Sequence, residues 1–468
     1  MEKAYKKMKK GQILELEITD IAFGGKGITK VDGFTIFTDQ TVPGDQVRAR
    51  ITKMKKRYAE AKAMELLRPS ADRVEPVCRF SGYCGGCKWQ FLNYGKQLEY
   101  KTRHVAESLS HIGKVDNTLV HPAIPSDPIF GYRNKMEFSC SEKRWLLPSE
   151  MEREDIEQDF ALGLHVPGTF YKVLDIDTCH LQPPLGNLIL DDIRNYMKES
   201  HAPVYGLRSH EGFWRFAMLR HSFHSGTWMV NIITASEDIR ITEPLADLLM
   251  RKYPQIVSVV NNITARKAGV ATGEYEVLLK GEKFLKDGMG PYVFEISANS
   301  FFQTNTRSAA LLYDKVKEYA GLTGTEHVLD LYSGTGTIPI WLSDSAKQIT
   351  GLEIVESAVL DAQKNCRNNG IDNCTFLLGD IKDLLSGIVE KPDVMIIDPP
   401  RVGMHKDVVS QVLELAPEKI VYVSCNPATL ARDLNMIKDV YEVLEVQPVD
   451  MFPHTYHIES VARLERKK

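Results

Sequence analysis

The segment HVLDLYSGTGTIPIWLS, residues 327–343, indicates how the carboxyl-terminal part of the chain folds. An apolar strand is predicted to end near Asp330, a turn with Gly334 and Gly336 follows, and a helix is predicted from Thr337. Glycines in such a turn let a ligand approach the backbone. The turn contains G-x-G and not the full dinucleotide pattern G-x-G-x-x-G, so it is a weak signal by itself.

Three further apolar stretches, QITGLEIV (348–355), CTFLLGD (374–380) and DVMIIDPPR (393–401), place acids at their ends, at Glu353, Asp380 and Asp398. Strands that alternate with helices predict a parallel sheet, whose ligands bind at the carboxyl ends of the strands. An acid after the second strand suits the ribose of NAD or of S-adenosylmethionine. The sequence DPPR resembles the Asp/Asn-Pro-Pro motif of nucleic-acid methyltransferases, and this resemblance favours S-adenosylmethionine.

Cys425 lies in YVSCNPATLARD (422–433), at the carboxyl end of another apolar strand. A thiolate there could add to carbon-6 of a pyrimidine and make carbon-5 nucleophilic, after which a general base must remove the carbon-5 proton. Candidate bases in the tail are Asp450, His454, His457 and Glu459. The alternatives are a buried packing thiol and an enzyme that methylates an exocyclic amine, which needs no thiol.

The segments SCNPATLARD (424–433) and DMFPHTYHIE (450–459) closely resemble the two signatures of RNA uracil-5-methyltransferases, and NSFFQTN (299–305) resembles a cofactor-contacting segment of the same family. The resemblance covers nearly the whole chain. It implies that Cys425 is the nucleophile and Glu459 the base. It also implies a set of residues that contact S-adenosylmethionine: Gln303, Tyr332, Gly334, Gly336, Thr337, Glu353, Asp380 and Asp398. Thr337 stands where some relatives carry asparagine.

A second group of candidate ligands is formed by cysteines. Cys78, Cys84 and Cys87 have the spacing C-x5-C-x2-C, and Cys179 is the first candidate for a fourth ligand, with Cys140 second. The spacing does not separate zinc from an iron–sulfur cluster, because both accept four thiolates. The family resemblance implies a [4Fe–4S] cluster with a structural role, since the branch with an amino-terminal TRAM barrel carries one on such cysteines.

The amino-terminal segment is basic. Residues 1–70 hold 15 Lys/Arg against 9 Asp/Glu, which leaves a net charge of −10 for the remainder. Alternating apolar and polar runs with turn signals predict a small β-barrel over 1–69, and basic barrels of this type commonly bind RNA. A solvated charged face is the alternative. The predicted RNA contacts are Lys53, Lys55, Lys56 and Arg57 in the barrel and Arg133 and Lys135 in YRNK.

We therefore expect a multidomain α/β protein with three parts: a TRAM/OB-like barrel (1–69), an α+β central domain with the cluster (70–296) and a Rossmann-like methyltransferase domain (297–468). The resemblance implies methylation of uridine carbon-5 in RNA, with 23S ribosomal RNA favoured over tRNA. The rivals are a tRNA enzyme, an amine methyltransferase and a non-catalytic RNA-binding protein. The amino terminus has no apolar export signal and no run approaches a membrane span, so we expect a cytoplasmic protein. The sequence does not indicate the oligomeric state, and we expect a monomer.

Overall fold

The computed structural model describes residues 8–115, 118–206, 208–267, 269 and 271–468. The first strands are β1 Ile13–Glu17, β2 Asp20–Ile21, β3 Gly27–Val31, β4 Phe34–Asp39, β5 Gln46–Met54 and β6 Tyr58–Arg68. They form a sheet in the order β1-β5-β6-β4-β3-β2. Because β1 and β2 nearly continue each other and pair with opposite edges, the sheet closes into a barrel around Leu16, Ile36 and Ile51. The predicted barrel is present, although residues 1–7 of its predicted range lie outside the described residues.

Between the barrel and the central sheet the chain forms α1 (Tyr94–Ser108) and β7 (Leu119–Val120). The sequence prediction placed both in the central domain. They pack instead on the carboxyl-terminal part: Val105 of α1 joins the same buried apolar cluster as Leu329, and β7 pairs with the strand that carries Glu445. The periodicity of apolar residues predicts the helix α1 but not the surface on which it packs. The strand β7 was not predictable, because two residues are too few to show a pattern.

The central sheet is mixed. Its strands are β8 Lys135–Ser141, β9 Ala161–His165, β10 Val173–Asp175, β11 Trp214–His221, β12 Trp228–Thr234, β13 Ile256–Ile263 and β14 Tyr275–Gly281. They are arranged in the order β10-β9-β8-β11-β12-β13-β14. Helices α2 (Pro184–Glu199) and α3 (Ile239–Lys252) pack on it and bury residues such as Ile189 and Leu245. A small hairpin, β15 (Leu285–Met289) with β16 (Tyr292–Ile296), leads to the last part of the chain.

The carboxyl-terminal sheet has the predicted alternation of strands and helices. Its strands are β17 His327–Leu331, β18 Gln348–Glu353, β19 Cys374–Leu378, β20 Val394–Ile397, β21 Lys419–Ser424, β22 Tyr441–Val449 and β23 Glu459–Arg466. The helices are α4 Thr306–Ala320, α5 Thr337–Leu342, α6 Glu356–Asn368, α7 Ile381–Ser386, α8 Lys406–Leu415 and α9 Pro427–Ile437.

The order of this sheet is β19-β18-β17-β20-β21-β23-β22-β7. The five strands from β19 to β21 are parallel, and all four residues of β20 are buried, as expected for a sheet covered on both faces. β23 is antiparallel to both β21 and β22. Within the ranges that the structure describes, every helix is too short or too polar to cross a lipid bilayer.

Candidate functional site

The carboxyl ends of the parallel strands surround a cavity of about 740 Å³. Three of the predicted cofactor residues, Tyr332, Glu353 and Asp380, line it together with residues from the loop after β20 and from α9. The volume lies in the range of ordinary ligand pockets. The sequence therefore located one side of this cavity, and the loop after β20 supplies the other.

The turn after β17 has a backbone that few residues other than glycine adopt. Tyr332, Gly334 and Gly336 have positive φ angles of 67°, 53° and 75°. A Cβ atom at Gly336 would come within 2.8 Å of Ala362 and Phe376. The conformation and the close packing both require glycine at this position.

Glu353 holds this turn in place. Its carboxylate accepts hydrogen bonds from the backbone N–H of Gly334, Ile354 and Val355, each at 2.9 Å. A carboxylate offers about four lone-pair sites, so room is left for a hydroxyl donor of a ligand in the cavity. Glu353 thus both shapes the turn and lines the cavity.

Asp330, at which the first strand was predicted to end, is a functional candidate that the sequence analysis did not include among the site residues. It is 1% exposed, and neither carboxylate oxygen has a hydrogen-bond partner among the described residues. Burial, with Asp398 and Glu353 nearby, raises the pKa of Asp330 well above its usual range. A buried carboxyl group without a partner is costly unless a ligand supplies a donor or a positive charge. This side chain fits the cationic groups of S-adenosylmethionine.

Gln303 and Thr337 are brought together by Tyr313 of α4. The Tyr313 hydroxyl lies 3.0 Å from Thr337 Oγ1 and also hydrogen-bonds Gln303. The Gln303 carbonyl accepts a hydrogen bond of 2.8 Å from the Asn134 side chain, which fixes this segment against the start of β8. The two predicted cofactor contacts therefore share one hydrogen-bonded group at the end of the sheet.

Cys425 directly follows β21, and Glu459 is the first residue of the neighbouring antiparallel strand β23. The last pair of the register is Ser424 with Ser460, so Cys425 and Glu459 are the residues next to this pair on the two segments. The charge of Glu459 also helps to raise the pKa of the Cys425 thiol, which requires the two side chains to be close. Burial raises the pKa of Glu459 well above its usual range, an effect that Asp398 increases and Arg401 opposes. The predicted nucleophile and base thus occupy one site.

Arg401 is the second residue that the sequence analysis quoted but did not assign. Its guanidinium hydrogen-bonds Cys425 and opposes the effects of burial and Glu459, which together raise the pKa of that thiol to about 11. The same guanidinium lies 2.6 Å from Nδ1 of His457. The Arg401 carbonyl accepts hydrogen bonds from Asn426 and Thr429. The signal was present in the sequence as the Arg of DPPR.

Asp398 lies directly after β20, and burial raises its pKa to about 6. Its charge contributes to raising the pKa of Asp330 and of Glu459. Three buried carboxyl groups at one sheet edge cannot all be ionised cheaply unless a cation joins them. The electrostatics of the edge therefore favour a positively charged ligand.

The other candidate bases of the tail have structural contacts. Asp450 forms an ion pair of 2.7 Å with Lys101, and both side chains are fully buried. His454 stacks on Phe130 at a centroid distance of 4.2 Å, and burial lowers its pKa to about 4. Burial likewise lowers the pKa of His457 to about 4. Among these candidates, Glu459 is the one placed beside Cys425.

The cysteines Cys78, Cys84, Cys87 and Cys179 line one cavity of about 260 Å³. Cys140, the second candidate for a fourth ligand, lies elsewhere: its sulfur is 3.7 Å from the Met197 sulfur in the core. Burial raises the pKa of Cys84 and Cys87 to about 12. Within the described residues, no group of three or more His, Cys, Asp or Glu is arranged around a single metal ion.

The cysteine loop is hydrogen-bonded to the segment that leads into Glu459. The backbone N–H groups of Lys88 and Trp89 both donate to the His454 carbonyl at 2.9 Å, and the Tyr132 hydroxyl donates to the Pro453 carbonyl at 3.2 Å. The cysteine cavity is therefore connected to the catalytic edge by the backbone of the loop between β22 and β23.

The predicted RNA contacts fall into two sets. Lys55, Lys56 and Arg57 are exposed in the turn between β5 and β6, beside Lys53, which pairs with Glu60 at 3.3 Å. Arg133 and Lys135 are partly buried and line the cysteine cavity, and Lys135 pairs with Glu137 at 2.6 Å. The first set forms an open basic surface, whereas the second has contacts inside the protein.

Comparison with known proteins shows which protein families this chain is similar to. Residues 284–467 match the family model described as tRNA (uracil-5-)-methyltransferase, and residues 7–64 match the TRAM domain. A protein of Chlorobaculum tepidum described as an uncharacterized RNA methyltransferase is 45% identical, with 98% of this chain and 97% of the relative covered. One of Porphyromonas gingivalis with the same description is 40% identical, covering 96% and 99%.

Among solved structures, the Pyrococcus abyssi tRNA (uracil-54, C5)-methyltransferase in complex with S-adenosyl-L-homocysteine has a similar fold. The TM-score is 0.76 at 29% identity, and the match covers 96% of this chain and 100% of that one. The similarity therefore includes the barrel, the central sheet and the carboxyl-terminal sheet.

Proposed function

The chain belongs to the family of RNA uracil-5-methyltransferases and is an S-adenosylmethionine-dependent enzyme. We propose that it methylates carbon-5 of a specific uridine in 23S ribosomal RNA, because a TRAM barrel combined with four cluster-type cysteines resembles the ribosomal RNA enzymes of this family more than the short tRNA enzymes. The observation that carries the proposal is the register of β21 and β23, which sets Cys425 near Glu459 at the sheet edge that also carries Asp398. Methylation of an exocyclic amine needs no thiol nucleophile, so it does not explain why Cys425 lies near Glu459.

In the proposed mechanism the target uridine leaves its stack and enters the site. The Cys425 thiolate adds to carbon-6, and the electron pair of the carbon-5/carbon-6 double bond moves to give an enolate. Arg401 stabilises the thiolate, because its guanidinium donates to the sulfur. When bound, S-adenosylmethionine supplies the methyl group as an electrophile.

Glu459 completes the reaction as the general base. It removes the carbon-5 proton, the double bond re-forms, and the bond between carbon-6 and the Cys425 sulfur breaks. For this step Glu459 must be ionised, although its burial raises its pKa. A positively charged ligand beside Asp330 and Asp398 would lower the pKa of all three carboxyl groups. Binding of S-adenosylmethionine would therefore favour the ionised form of Glu459, which is the form that can act as a base.

Residues of the cavity, together with Asp330 at the end of β17, would hold S-adenosylmethionine. Glu353 retains acceptor capacity for a ribose hydroxyl, Asp330 offers two unused oxygens to a cationic group, and Tyr332 and Asp380 line the cavity walls. Gln303, Gly334, Gly336, Thr337 and Asp398 form the adjoining turn, segment and strand end.

We also propose that Cys78, Cys84, Cys87 and Cys179 bind a [4Fe–4S] cluster. Four thiols around one cavity of about 260 Å³ can supply the four thiolates that such a cluster takes. Zinc accepts the same ligands, and the family resemblance favours the cluster. The test is iron and sulfide analysis of protein purified without oxygen, comparing Cys179→Ser with Cys140→Ser as the matched control. Loss of iron in the first variant alone is expected. Full zinc occupancy without iron in the wild-type protein would contradict the cluster.

The class of RNA is tested by tritium release. Ribosomal RNA and tRNA transcripts labelled with tritium at uracil carbon-5 are mixed with S-adenosylmethionine and the wild-type enzyme, Cys425→Ala, or the control Cys374→Ala. Release from 23S RNA by the wild type and the control is expected. Release from tRNA alone would favour the second candidate, a tRNA enzyme, which the similarity to the Pyrococcus protein supports. Methyl transfer without tritium release would contradict carbon-5 chemistry.

Two further expectations belong to this proposal. The exposed Lys55, Lys56 and Arg57 of the barrel, with Lys53, would contact RNA phosphates, whereas Arg133 and Lys135 would contribute only after a rearrangement of their present contacts. The enzyme would act as a monomer in the cytoplasm, where its ribosomal substrate is assembled.

A further inference from the structure

Two cavities adjoin at the far end of strand β8, away from the catalytic edge. One has a volume of about 520 Å³ and the other about 500 Å³, and Tyr205 lines both. Trp145 and Tyr171 line the first, and Phe170 lines the second. We call this pair of cavities the aromatic groove, defined by Trp145, Phe170, Tyr171 and Tyr205.

Three of the four aromatic rings of the groove are exposed, whereas Tyr205 is buried at its base. The exposed fractions are 65% for Phe170, 42% for Tyr171 and 38% for Trp145. Phe170 and Tyr171 meet edge to face, with centroids 5.3 Å apart. Single exposed apolar residues are common on protein surfaces, but several aromatic rings around a cleft indicate a binding site.

The charges of the groove are one-sided. Among the described residues, six cations line the two cavities: Lys143, Arg144, Lys172, Arg208, Arg215 and Lys267. Arg144 is paired with Glu150 and Arg215 is buried, so four of the six are open to a ligand, beside the lining carboxylate of Glu142. This excess lies within residues 71–468, whose net charge is −10. A local cationic cleft in an acidic body attracts an anionic ligand.

The cations lie over the aromatic rings. The Lys172 ammonium is 3.8 Å from the centroid of Trp145, and the Arg208 guanidinium is 4.8 Å from that of Tyr171. Rings that stack bases and adjacent cations that bind phosphates are the combination found in sites for single-stranded nucleic acid. A protein partner would not require cations placed beside exposed aromatic rings.

The acid-rich segment 148–159 forms one wall of the groove through Met151 and Gln158. Its Glu150 is buried, accepts from the Leu147 N–H at 2.9 Å and neutralises Arg144. Other acids of the segment are exposed outside the lining of the groove, so the open positive charge of the groove comes from Lys143, Lys172, Arg208 and Lys267.

Strand β8 connects the groove to the catalytic edge. Its start is fixed to the cofactor segment, because the Asn134 N–H donates to the Thr304 carbonyl at 2.9 Å. Ser141, at its other end, lines the groove. Six residues of strand span about 20 Å, so one RNA molecule can reach both places.

We infer that the aromatic groove binds an unpaired stretch of the RNA substrate, about 20 Å from the target uridine. The inference rests on the proposed RNA methylation. Bases of this stretch stack on Phe170 and Trp145, while Lys172 and Arg208 leave their ring contacts for phosphates. The groove thereby selects substrates that present a single-stranded segment at this distance from the methylated base.

The test compares Trp145→Ala/Phe170→Ala with Tyr275→Ala, which removes an equally exposed ring from the opposite edge of the central sheet. Tritium release and filter binding are measured on long transcripts that the wild type methylates. We expect KM and Kd to rise about tenfold or more in the double variant, with kcat unchanged, because stacking of each base contributes substantially to affinity. The control should match the wild type.

A second variant tests the phosphate contacts. Lys172→Ala/Arg208→Ala should reduce the slope of log Kd against log salt by about 1.4, the value for two phosphates of a single strand. Photo-crosslinking of wild-type protein to 4-thiouridine RNA should label the peptide that contains Phe170, a readout that does not depend on how a variant folds. Wild-type KM in the double variant and absence of this crosslink would each overturn the groove as an RNA site. The proposed function would fail separately, if the wild type released no tritium from any RNA.

Discussion

Replacement of Arg401 by glutamine tests how the nucleophile is activated. The guanidinium hydrogen-bonds the Cys425 sulfur and opposes the rise of the thiol pKa to about 11. Hydrogen bonds to charged groups contribute about 1.5–3 kcal/mol, and one pKa unit corresponds to about 1.4 kcal/mol. Because Cys425 is partly exposed, we take the lower end, so loss of the guanidinium should raise the thiol pKa by about one unit.

The Cys425 thiol pKa of about 11 determines how the rate of tritium release changes with pH. The wild-type pKa lies above the working range, so the thiolate fraction rises with pH in both proteins, about tenfold per unit. The single-turnover rate of tritium release by Arg401→Gln should run parallel to that of the wild type and about tenfold lower at each pH. The pKa of Glu459 also rises when Arg401 is removed, which displaces the acidic part of the profile in the same direction.

The control for this experiment is Arg401→Lys, which keeps the charge but loses the planar fork, and it should lose less activity than Arg401→Gln. Binding of S-adenosylmethionine and the thermal midpoint should stay unchanged in both variants, since the Arg401 carbonyl, and not its side chain, holds the Asn426 loop. A wild-type rate for Arg401→Gln across the whole pH range, with RNA bound to the same extent, would refute the reasoning.

Three other predictions follow from the same site. Glu459→Gln should complete the first half of the reaction and then accumulate a covalent RNA–protein adduct, visible on denaturing gels, because the carbon-5 proton is not removed; free RNA product from this variant would exclude Glu459 as the base. Lys101→Met should lower the free energy of unfolding by about 3–5 kcal/mol in denaturant titrations, because Asp450 then lacks its buried partner, and Lys101→Met/Asp450→Leu should recover most of the loss. Gly336→Ala should weaken S-adenosylmethionine binding in calorimetry and cost at least about 1 kcal/mol of stability, since alanine fits neither the positive φ nor the 2.8 Å contact with Ala362; an alanine variant with wild-type binding would contradict the role of this turn.

The cysteine cavity is connected to the sheet edge of Cys425 and Glu459 through the His454 carbonyl group. Lys88 and Trp89, which follow Cys87 directly, both donate to His454, five positions before Glu459. A proposed cluster on these cysteines would therefore stabilise the loop that presents the base, without taking part in the reaction itself.

The sequence was sufficient for the fold class. Four of the five parallel strands of the carboxyl-terminal sheet are mainly apolar runs with an acid or a glycine turn at their end, and β21 is an apolar run followed by Cys425; such runs predict a covered parallel sheet. The predicted α/β class and the amino-terminal barrel are confirmed, and Cys425 lies at the end of β21 as predicted. These features were predictable because local periodicity and turn residues encode them directly.

Other features depended on contacts between distant segments. The docking of α1 on the carboxyl-terminal sheet, the choice of Cys179 over Cys140 as a lining residue of the cysteine cavity, and the buried pair of Lys101 with Asp450 join parts of the chain that no local pattern relates. The aromatic groove was also not predictable from the sequence, because Trp145, Tyr171 and Tyr205 lie in three separate loops that meet only in the folded protein.

The strand ends, the glycine turn and the chemical types of the site residues are properties of short segments, so they can be predicted from the residues alone. Which of these residues lie close together depends on the packing of distant segments. The insertion of β23 between β21 and β22 sets the register that places Glu459 beside Cys425, and the loop after β20 then adds Arg401 to the pair. A register is a relation between two strands and depends on the packing of both, which is why the chemistry could be anticipated from the residues while its geometry could not.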